Sequence, residues 1–248
     1  MPRLMVVGDI HGEIHEMYRL VDSWERRTGL TIDGVVQVGD LGVYSSGTDF
    51  RDYWDGLKAP KPTIAILGNH EDIVTANRWL AEPDRIQNMR LLLDGRIENF
   101  LGVNIGGIWG NYSPVSYKNA DRVYDNRVTG NSHRIAMHIN RYSVETLLDN
   151  PGPMDVLITH DSARITFPPY FGPMDPMVGE ILGLSGREEM VQAKGCPGFD
   201  QILKQFKPRK YFYGHLHTDY KLKVGATETR CLHAIQYDKF NCFEVTEL

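Results

Sequence analysis

The feature that most constrains this chain is a recurrence: a short β-branched or aliphatic run leads into a side chain able to bind metal. It happens five times. Residues 4–7 lead into Gly8-Asp9-Ile10-His11, 35–38 into Gly39-Asp40, 63–67 into Gly68-Asn69-His70-Glu71, 155–159 into His160-Asp161, and 210–213 into Gly214-His215-Leu216-His217. Short apolar runs bounded by turn residues read as buried strands. In open α/β sheets, sites form in the crevice beyond the carboxyl ends of strands, so the five endings are expected to converge. Glycine before the ligand is expected to let the backbone turn sharply. Alternate residues of an extended segment share a face, so Asp9 with His11, and His215 with His217, can each reach a common point.

The rest of the chain supports an α/β reading. Ile14, Met17, Tyr18, Val21 and Trp24 recur at helical spacing until Gly29 offers a stop. Hairpin-like segments are expected around Asp94-Gly95, and Ile105-Gly106-Gly107-Ile108 reads as a strand closely approached by another backbone. The tail, 220–245, alternates polar and apolar residues as antiparallel strands do. Two polar stretches, 111–133 and 161–198, are long enough to be loops or lids over a site. With 248 residues and 42% hydrophobic content, the chain can bury one core, and a single domain over 1–248 with mixed sheets is expected. It holds no apolar run near the roughly 18 residues of a membrane helix. The first strand begins too early to leave room for a leader, so no membrane partner and a cytoplasmic location are expected. Three cysteines without C-x-x-C spacing point to neither a disulfide framework nor a zinc knuckle. A net charge of -5 argues against coating nucleic acid by bulk charge, while a local basic groove stays open.

Carboxylate, imidazole and amide ligands together suit divalent ions such as Mn, Fe or Zn rather than a thiolate-selected metal. Two ions need a shared ligand, and the isolated Asp40 is the candidate bridge. Taken singly, each motif has a blander reading: Gly-Asp as a turn, Asn69-His70 as a satisfied loop pair. The ordered recurrence decides, because five of the nine histidines fall within it. His15, His133, His138 and His233 lie outside and are expected to be surface or packing residues. Asp161 either orients a ligand or caps a turn. Lys204, Lys207, Arg209 and Lys210 either meet an anionic substrate or form a solvated helix end.

The ordered set GDIHG, VGDLG, GNHE, ITHD and GHLH, spanning residues 8–217, resembles the calcineurin-like metallophosphoesterases. That resemblance implies a four-layer α/β/β/α sandwich with two mixed sheets. It also implies two divalent ions, with Mn or Fe as first choices and Zn, Mg and Ni compatible. One ion would be held by Asp9, His11, Asp40 and His217, the other by Asp40, Asn69, His160 and His215. A metal-bridging hydroxide would attack the phosphoester, and His70, bound to neither ion, would face the substrate as general acid, with Glu71 or Asp161 as candidates to orient it. KAPKPTIAILGNHE, VNIGGIWGNY, ITHDSAR, FKPRKYFYGHLH and TRCLHAIQYD further resemble the catalytic domain of RNA lariat debranching enzymes, which carry Cys where this chain has Asp9. A phosphodiesterase acting on a nucleotide or RNA is therefore expected. A phosphomonoesterase, including a Ser/Thr protein phosphatase, is the alternative, although the second motif of those phosphatases continues into an Asp-Arg pair and this chain reads GDLGVYS. A metal-holding scaffold without catalysis is the remaining reading. The sequence sets no oligomeric state.

Overall fold

The computed structural model describes residues 1–43, 58–82, 86–169 and 194–248. Its strands are β1 (Arg3–Val7), β2 (Gly34–Gln37), β3 (Lys58–Ala65), β4 (Gln87–Leu91), β5 (Arg96–Phe100), β6 (Val103–Ile108), β7 (Val156–Thr159), β8 (Lys210–Tyr213), β9 (Tyr220–Val224), β10 (Thr227–Cys231) and β11 (Phe243–Glu247). Its α-helices are α1 (Ile14–Thr28), α2 (Ile73–Ala81), α3 (Pro114–Lys118), α4 (Ala120–Thr129), α5 (His133–Ala136), α6 (Arg141–Leu148) and α7 (Pro197–Phe206). The strands form two sheets, ordered β11-β1-β2-β3-β4 and β5-β6-β7-β8-β10-β9. In the first, β1 to β4 run parallel and β11 antiparallel. In the second, β6, β7, β8 and β10 run parallel, with β5 and β9 antiparallel at the edges.

Alternation within the second sheet shows how the layers stack. Val156, Ile158 and Phe212 join the core shared with the first sheet, whereas Leu157, Tyr211 and Tyr213 pack with Val144, Leu147, Phe199, Ile202 and Leu203 of α6 and α7. Both faces of the sheet are thus covered, as a mostly parallel sheet requires. On the far side of the first sheet lies α1, whose Ile14, Met17, Tyr18 and Val21 are buried at the expected spacing. Tyr18 Oη lies 2.7 Å from Thr63 Oγ1 of β3. The helix ends where Gly29 adopts φ 71°, a left-handed cap. The result is a helix/sheet/sheet/helix sandwich with two mixed sheets. Cys196, Cys231 and Cys242 are buried free thiols. Among the described residues, no helix is long and apolar enough to cross a membrane.

Several local expectations give way. The Asp94-Gly95 turn does not close a hairpin; it carries the chain from β4, at the edge of one sheet, to β5, at the edge of the other. The hairpin lies one turn later, between β5 and β6, where Leu101 and Gly102 both take positive φ. At Gly106 and Gly107 the close neighbours are the side chains of Met154 and Leu92, not another backbone. Much of 111–133 is helical. Ser113 caps α3, Pro114 occupies its first turn, and Gly130, at φ 71°, ends α4. Of the expected 161–198 loop, residues 170–193 lie outside the described residues.

The crossing between sheets is fastened by Asp94, whose carboxylate accepts from Trp109 N at 2.8 Å and Ser143 Oγ at 2.6 Å and pairs with Arg127. Arg127 also donates to Ala136 O at 2.8 Å and His138 O at 2.9 Å, so one ion pair ties α4, α5 and the β6 end together. Asp94→Ala leaves a largely buried guanidinium unpaired, and should cost about 3 kcal/mol. A urea melt checks this: the midpoint should fall with an unchanged slope, and a loss below about 1 kcal/mol would show that the pair does not fasten the crossing.

Candidate metal centre

The carboxyl ends of β1, β2 and β3 in one sheet and of β7 and β8 in the other bring the motifs to a single place. Asp9, His11, Asp40 and His217 each offer a ligand atom, all within 4.8 Å of one another. Asp9 Oδ2 lies 2.9 Å from His217 Nε2, and the Nε2 atoms of His11 and His217 lie 3.2 Å apart. Beside them, His160 Nε2 is 3.3 Å from Asp40 Oδ1 and 2.9 Å from Asn69 Oδ1, with the His215 ring centroid 5.0 Å from that of His160. Asp40 therefore belongs to both groups. The structure brings together all seven residues singled out as ligands, and His70 Nε2 stands 3.9 Å from Asp40 Oδ2 with its side chain 56% exposed.

Their backbones are unusual. His11, Asp40, His215 and His217 have φ of 44°, 50°, 65° and 45°, the left-handed region that costs a non-glycine residue of order 1–3 kcal/mol. Among the described residues, the other non-glycine positions of positive φ are Asn88 within β4, Leu101 in the turn between β5 and β6, and Lys207 at the α7 cap. Motif glycines contribute chiefly by lacking a side chain. At Gly68 a Cβ would be driven into the Asp40 carboxylate and backbone, and at Gly214 into the Asp9 carboxylate, and neither has positive φ. Gly39, at φ 102°, and Gly42, at φ 100°, combine a turn with a clash, the first against the His160 ring and the second against the backbone of Gly12.

Electrostatics indicate what the donors require. Asp9 and Asp40 are 0% and 1% exposed, and among the described residues their ion-pair partners are histidines alone. Burial would push the Asp40 carboxyl up, but the neighbouring histidines, His160 foremost, hold it well below the usual range. Burial opposes charging of His160, yet Asp40 and Asp9 raise it to about 10, so without metal a proton supplies part of the missing positive charge. Burial pushes His11 and His215 down, which keeps lone pairs available. Two imidazole nitrogens 3.2 Å apart hydrogen-bond only if one is protonated, whereas one cation serves both lone pairs. Oxygen and nitrogen donors around two buried negative charges fit divalent metal.

Glu71 and Asp161 do not use their carboxylates on His70. Glu71, buried and pushed up to about 8 by burial and then by Asp40, accepts from Gly42 N at 3.0 Å and Gly68 N at 2.5 Å, which clamps the second motif to the third. Asp161 accepts from Tyr112 N at 2.8 Å and Ser162 N at 2.7 Å, a turn cap that also fastens β6 to β7. Of the histidines outside the motifs, His15 is exposed. His138 lies 2.7 Å from Ser116 Oγ and is pushed down to about 4 by burial and by Arg134, Arg127 and Arg122. The side chain of His133 lies outside the described residues. Lys204, Lys207 and Arg209 are exposed at the end of α7, and Lys210 pairs with Glu228 and Glu244. Lys204, Lys207 and Arg209 precede β8 as a solvated helix end and Lys210 begins that strand, whereas the candidate ligands His215 and His217 follow its other end. Removing the clamp with Glu71→Ala should weaken metal binding roughly 10- to 100-fold without removing a ligand. Titration of metal-free protein with Mn checks it, and an unchanged affinity would reduce Glu71 to a packing residue.

Comparison with known proteins agrees with this geometry. The family model described as "Calcineurin-like phosphoesterase" matches residues 2–219. The chain is 26% identical to the lariat debranching enzyme of Entamoeba histolytica over 94% of this chain and 69% of that one. It is 24% identical to the lariat debranching enzyme of Homo sapiens, over 88% of this chain and 42% of that one, so it spans less than half the length of the human relative. Among solved structures, the phosphopantetheinyl hydrolase PptH from Mycobacterium tuberculosis superposes with a TM-score of 0.56 at 11% identity, covering 99% of this chain and 95% of that one, which speaks to fold alone. Fold, ordered motifs and donor cluster lead to one conclusion: the chain belongs to the calcineurin-like phosphoesterases and is a metallophosphoesterase, a hydrolase of phosphoric esters.

Proposed function

We propose that the protein is a two-metal phosphodiesterase acting on a nucleotide or RNA diester, with Mn or Fe as its ions. The observation that carries this reading is the pair of donor groups meeting at the buried Asp40, with His70 standing exposed beside them. Asp9, His11 and His217 with Asp40 would hold one ion; Asn69, His160 and His215 with Asp40 would hold the other. When bound, such a pair lowers the pKa of a shared water towards neutrality and takes up charge on the phosphoryl oxygens. Similarity to lariat debranching enzymes over most of this chain supports the diester over the monoester.

The chain's own residues set the geometry. Asp40 Oδ1 accepts the backbone N–H groups of Asn69 at 2.8 Å and His70 at 3.1 Å, so the bridging carboxylate also fixes the loop that carries the acid. The His70 backbone is held while its imidazole faces solvent, which suits a group that must reach the substrate. Packed edge-on to His11 with ring centroids 5.3 Å apart, the imidazole stays near the donors. Its role in this reading is to protonate the departing alkoxide, worth roughly 100- to 10,000-fold.

Chelation should abolish hydrolysis of bis(nitrophenyl) phosphate, and adding Mn should restore it. Asp40→Asn should weaken both metal sites where His217→Ala weakens mainly one, read as metal stoichiometry. Full activity of the metal-free protein would end the two-metal reading, and a preference for nitrophenyl phosphate over the diester would turn it to a monoesterase.

His70→Asn separates binding from chemistry. Metal content should persist while esters with an alkoxide leaving group slow by two orders of magnitude or more, and nitrophenyl esters much less, because nitrophenolate departs without a proton. Equal losses on both substrates would show that His70 binds phosphate rather than protonating the leaving group.

A further inference from the structure

Between β10 and β11, two aromatic rings stand where folding gains little from them. Tyr237 is 71% exposed and Phe240 83%. Large aromatic side chains normally contribute 150–250 Å² each to cores or interfaces. The segment carrying these two is nonetheless tightly built. Tyr237 N and Asp238 N both donate to Ala234 O at 3.1 Å. The Asp238 carboxylate accepts from Phe240 N at 2.9 Å, Asn241 N at 3.1 Å and Asn241 Nδ2 at 2.9 Å. Lys239 Nζ reaches Glu16 of α1 at 2.7 Å.

The same segment is bolted to the first ligand motif. Ile235 N donates to Asp9 O at 2.9 Å and Gln236 Nε2 to Ile10 O at 2.8 Å. Gly8 has no room for a Cβ against His233 O. Of the two exposed rings, Tyr237 reaches the centre: its ring centroid lies 5.3 Å from that of His217, tilted 40°. His70, His11, His217 and Tyr237 thus form a succession of rings, each 5.3 Å from the next. At one end of the succession is the proposed acid. At the other is an exposed aromatic ring on a hydrogen-bonded support, beside His217 of the donor cluster.

We propose that Tyr237 is a specificity-determining residue that stacks on a nucleobase of the bound diester, so that the centre selects nucleotide diesters over small alkyl ones. The inference rests on the diesterase reading above. An aromatic ring accepts any base because every base has a π face, and a fixed ring loses little freedom on binding. This platform differs from the aromatic residues of 111–133 and 161–198, to which sequence alone directs attention. The segment TRCLHAIQYD carries a family resemblance but does not single out its tyrosine: Tyr237 is identified by its exposure and by its contact with His217.

The test uses the metal-loaded full chain and two diesters with one leaving group: thymidine 5′-(4-nitrophenyl) phosphate and methyl 4-nitrophenyl phosphate. Wild type should favour the thymidine ester in kcat/KM. Tyr237→Ala should lower that preference about tenfold, and Tyr237→Trp should keep it. Calorimetry supplies an independent readout, in which Tyr237→Ala should weaken thymidine 5′-monophosphate about tenfold more than inorganic phosphate. An equal preference in wild type and Tyr237→Ala overturns the proposal. So does an equal loss on both esters accompanied by lower metal content, which would make Tyr237 a support for His217. If wild type hydrolyses neither diester, the diesterase reading fails by itself, and the calorimetric comparison still decides whether Tyr237 stacks on the base.

Discussion

Two carboxylates buried at the ends of neighbouring parallel strands set the terms for the rest of the molecule. Asp9 and Asp40 have lost their water, and a buried anion is tolerable only when it is paired and hydrogen-bonded. The fold supplies the hydrogen bonds from backbone: His215 N reaches both oxygens of Asp9 at 3.1 Å, and Asn69 N and His70 N reach Asp40 Oδ1. Lysine or arginine, which would neutralise the charge permanently, pairs with neither carboxylate among the described residues; histidines do. Imidazole can be neutral, so the missing positive charge is left to an exchangeable species, a proton on His160 or a metal ion. The His215–Asp9 bonds also join the sheets, because Asp9 follows a strand of one and His215 a strand of the other.

That arrangement accounts for the backbone cost. Four candidate ligands in the left-handed region, at of order 1–3 kcal/mol each, would be hard to retain if extended geometry placed their side chains equally well. Alternate residues of a strand do share a face, yet His11 and His217 stand beside Asp9 with φ of 44° and 45°, outside the extended conformation. Glu71 holds the second and third turns from behind through the amides of Gly42 and Gly68. The glycines complete the packing by yielding the space that the carboxylates occupy. Strain, clamp and clearance are three aspects of crowding the turns of five strands around two anions.

Much of this was legible in the sequence because metal binding demands particular side chains and a central strand demands an apolar run, and both signals are local. Residues 4–7, 35–38 and 210–213 coincide with strands for that reason, and α1 follows from Ile14, Met17, Tyr18 and Val21. What failed depended on distant partners. Asp94-Gly95 has the composition of a hairpin turn, but the partner of each flanking strand lies elsewhere, and its role as a crossing is set by Trp109, Ser143 and Arg127. The helices within 111–133 escaped because α4 buries only Ala120 and Val123, too little to leave a period. Their end signals, Ser113-Pro114 and Gly130, were present. Glu71 was visible as part of GNHE, but its partners are backbone amides, which a sequence does not display.

Asp9 is where this chain departs from the debranching-enzyme pattern, and the structure gives that departure a physical content. Its two oxygens accept the His215 amide while Oδ2 faces His217 Nε2 at 2.9 Å, and Gly214 leaves it clearance. A cysteine at the same backbone position would present one sulfur, a weak acceptor, in place of two oxygens. It would also move the donor group from hard to soft. With aspartate there, Asp9 and Asp40 put two carboxylates into one cluster with two imidazoles. The nearby His160 is also drawn towards a positive charge, raised by Asp40, Asp9 and Glu71 against the effect of its burial. As metal ligands a thiolate and a carboxylate carry the same single negative charge, so the difference lies in donor hardness and acceptor number: aspartate gives the centre oxygens that suit a harder divalent ion and that can accept the His215 amide.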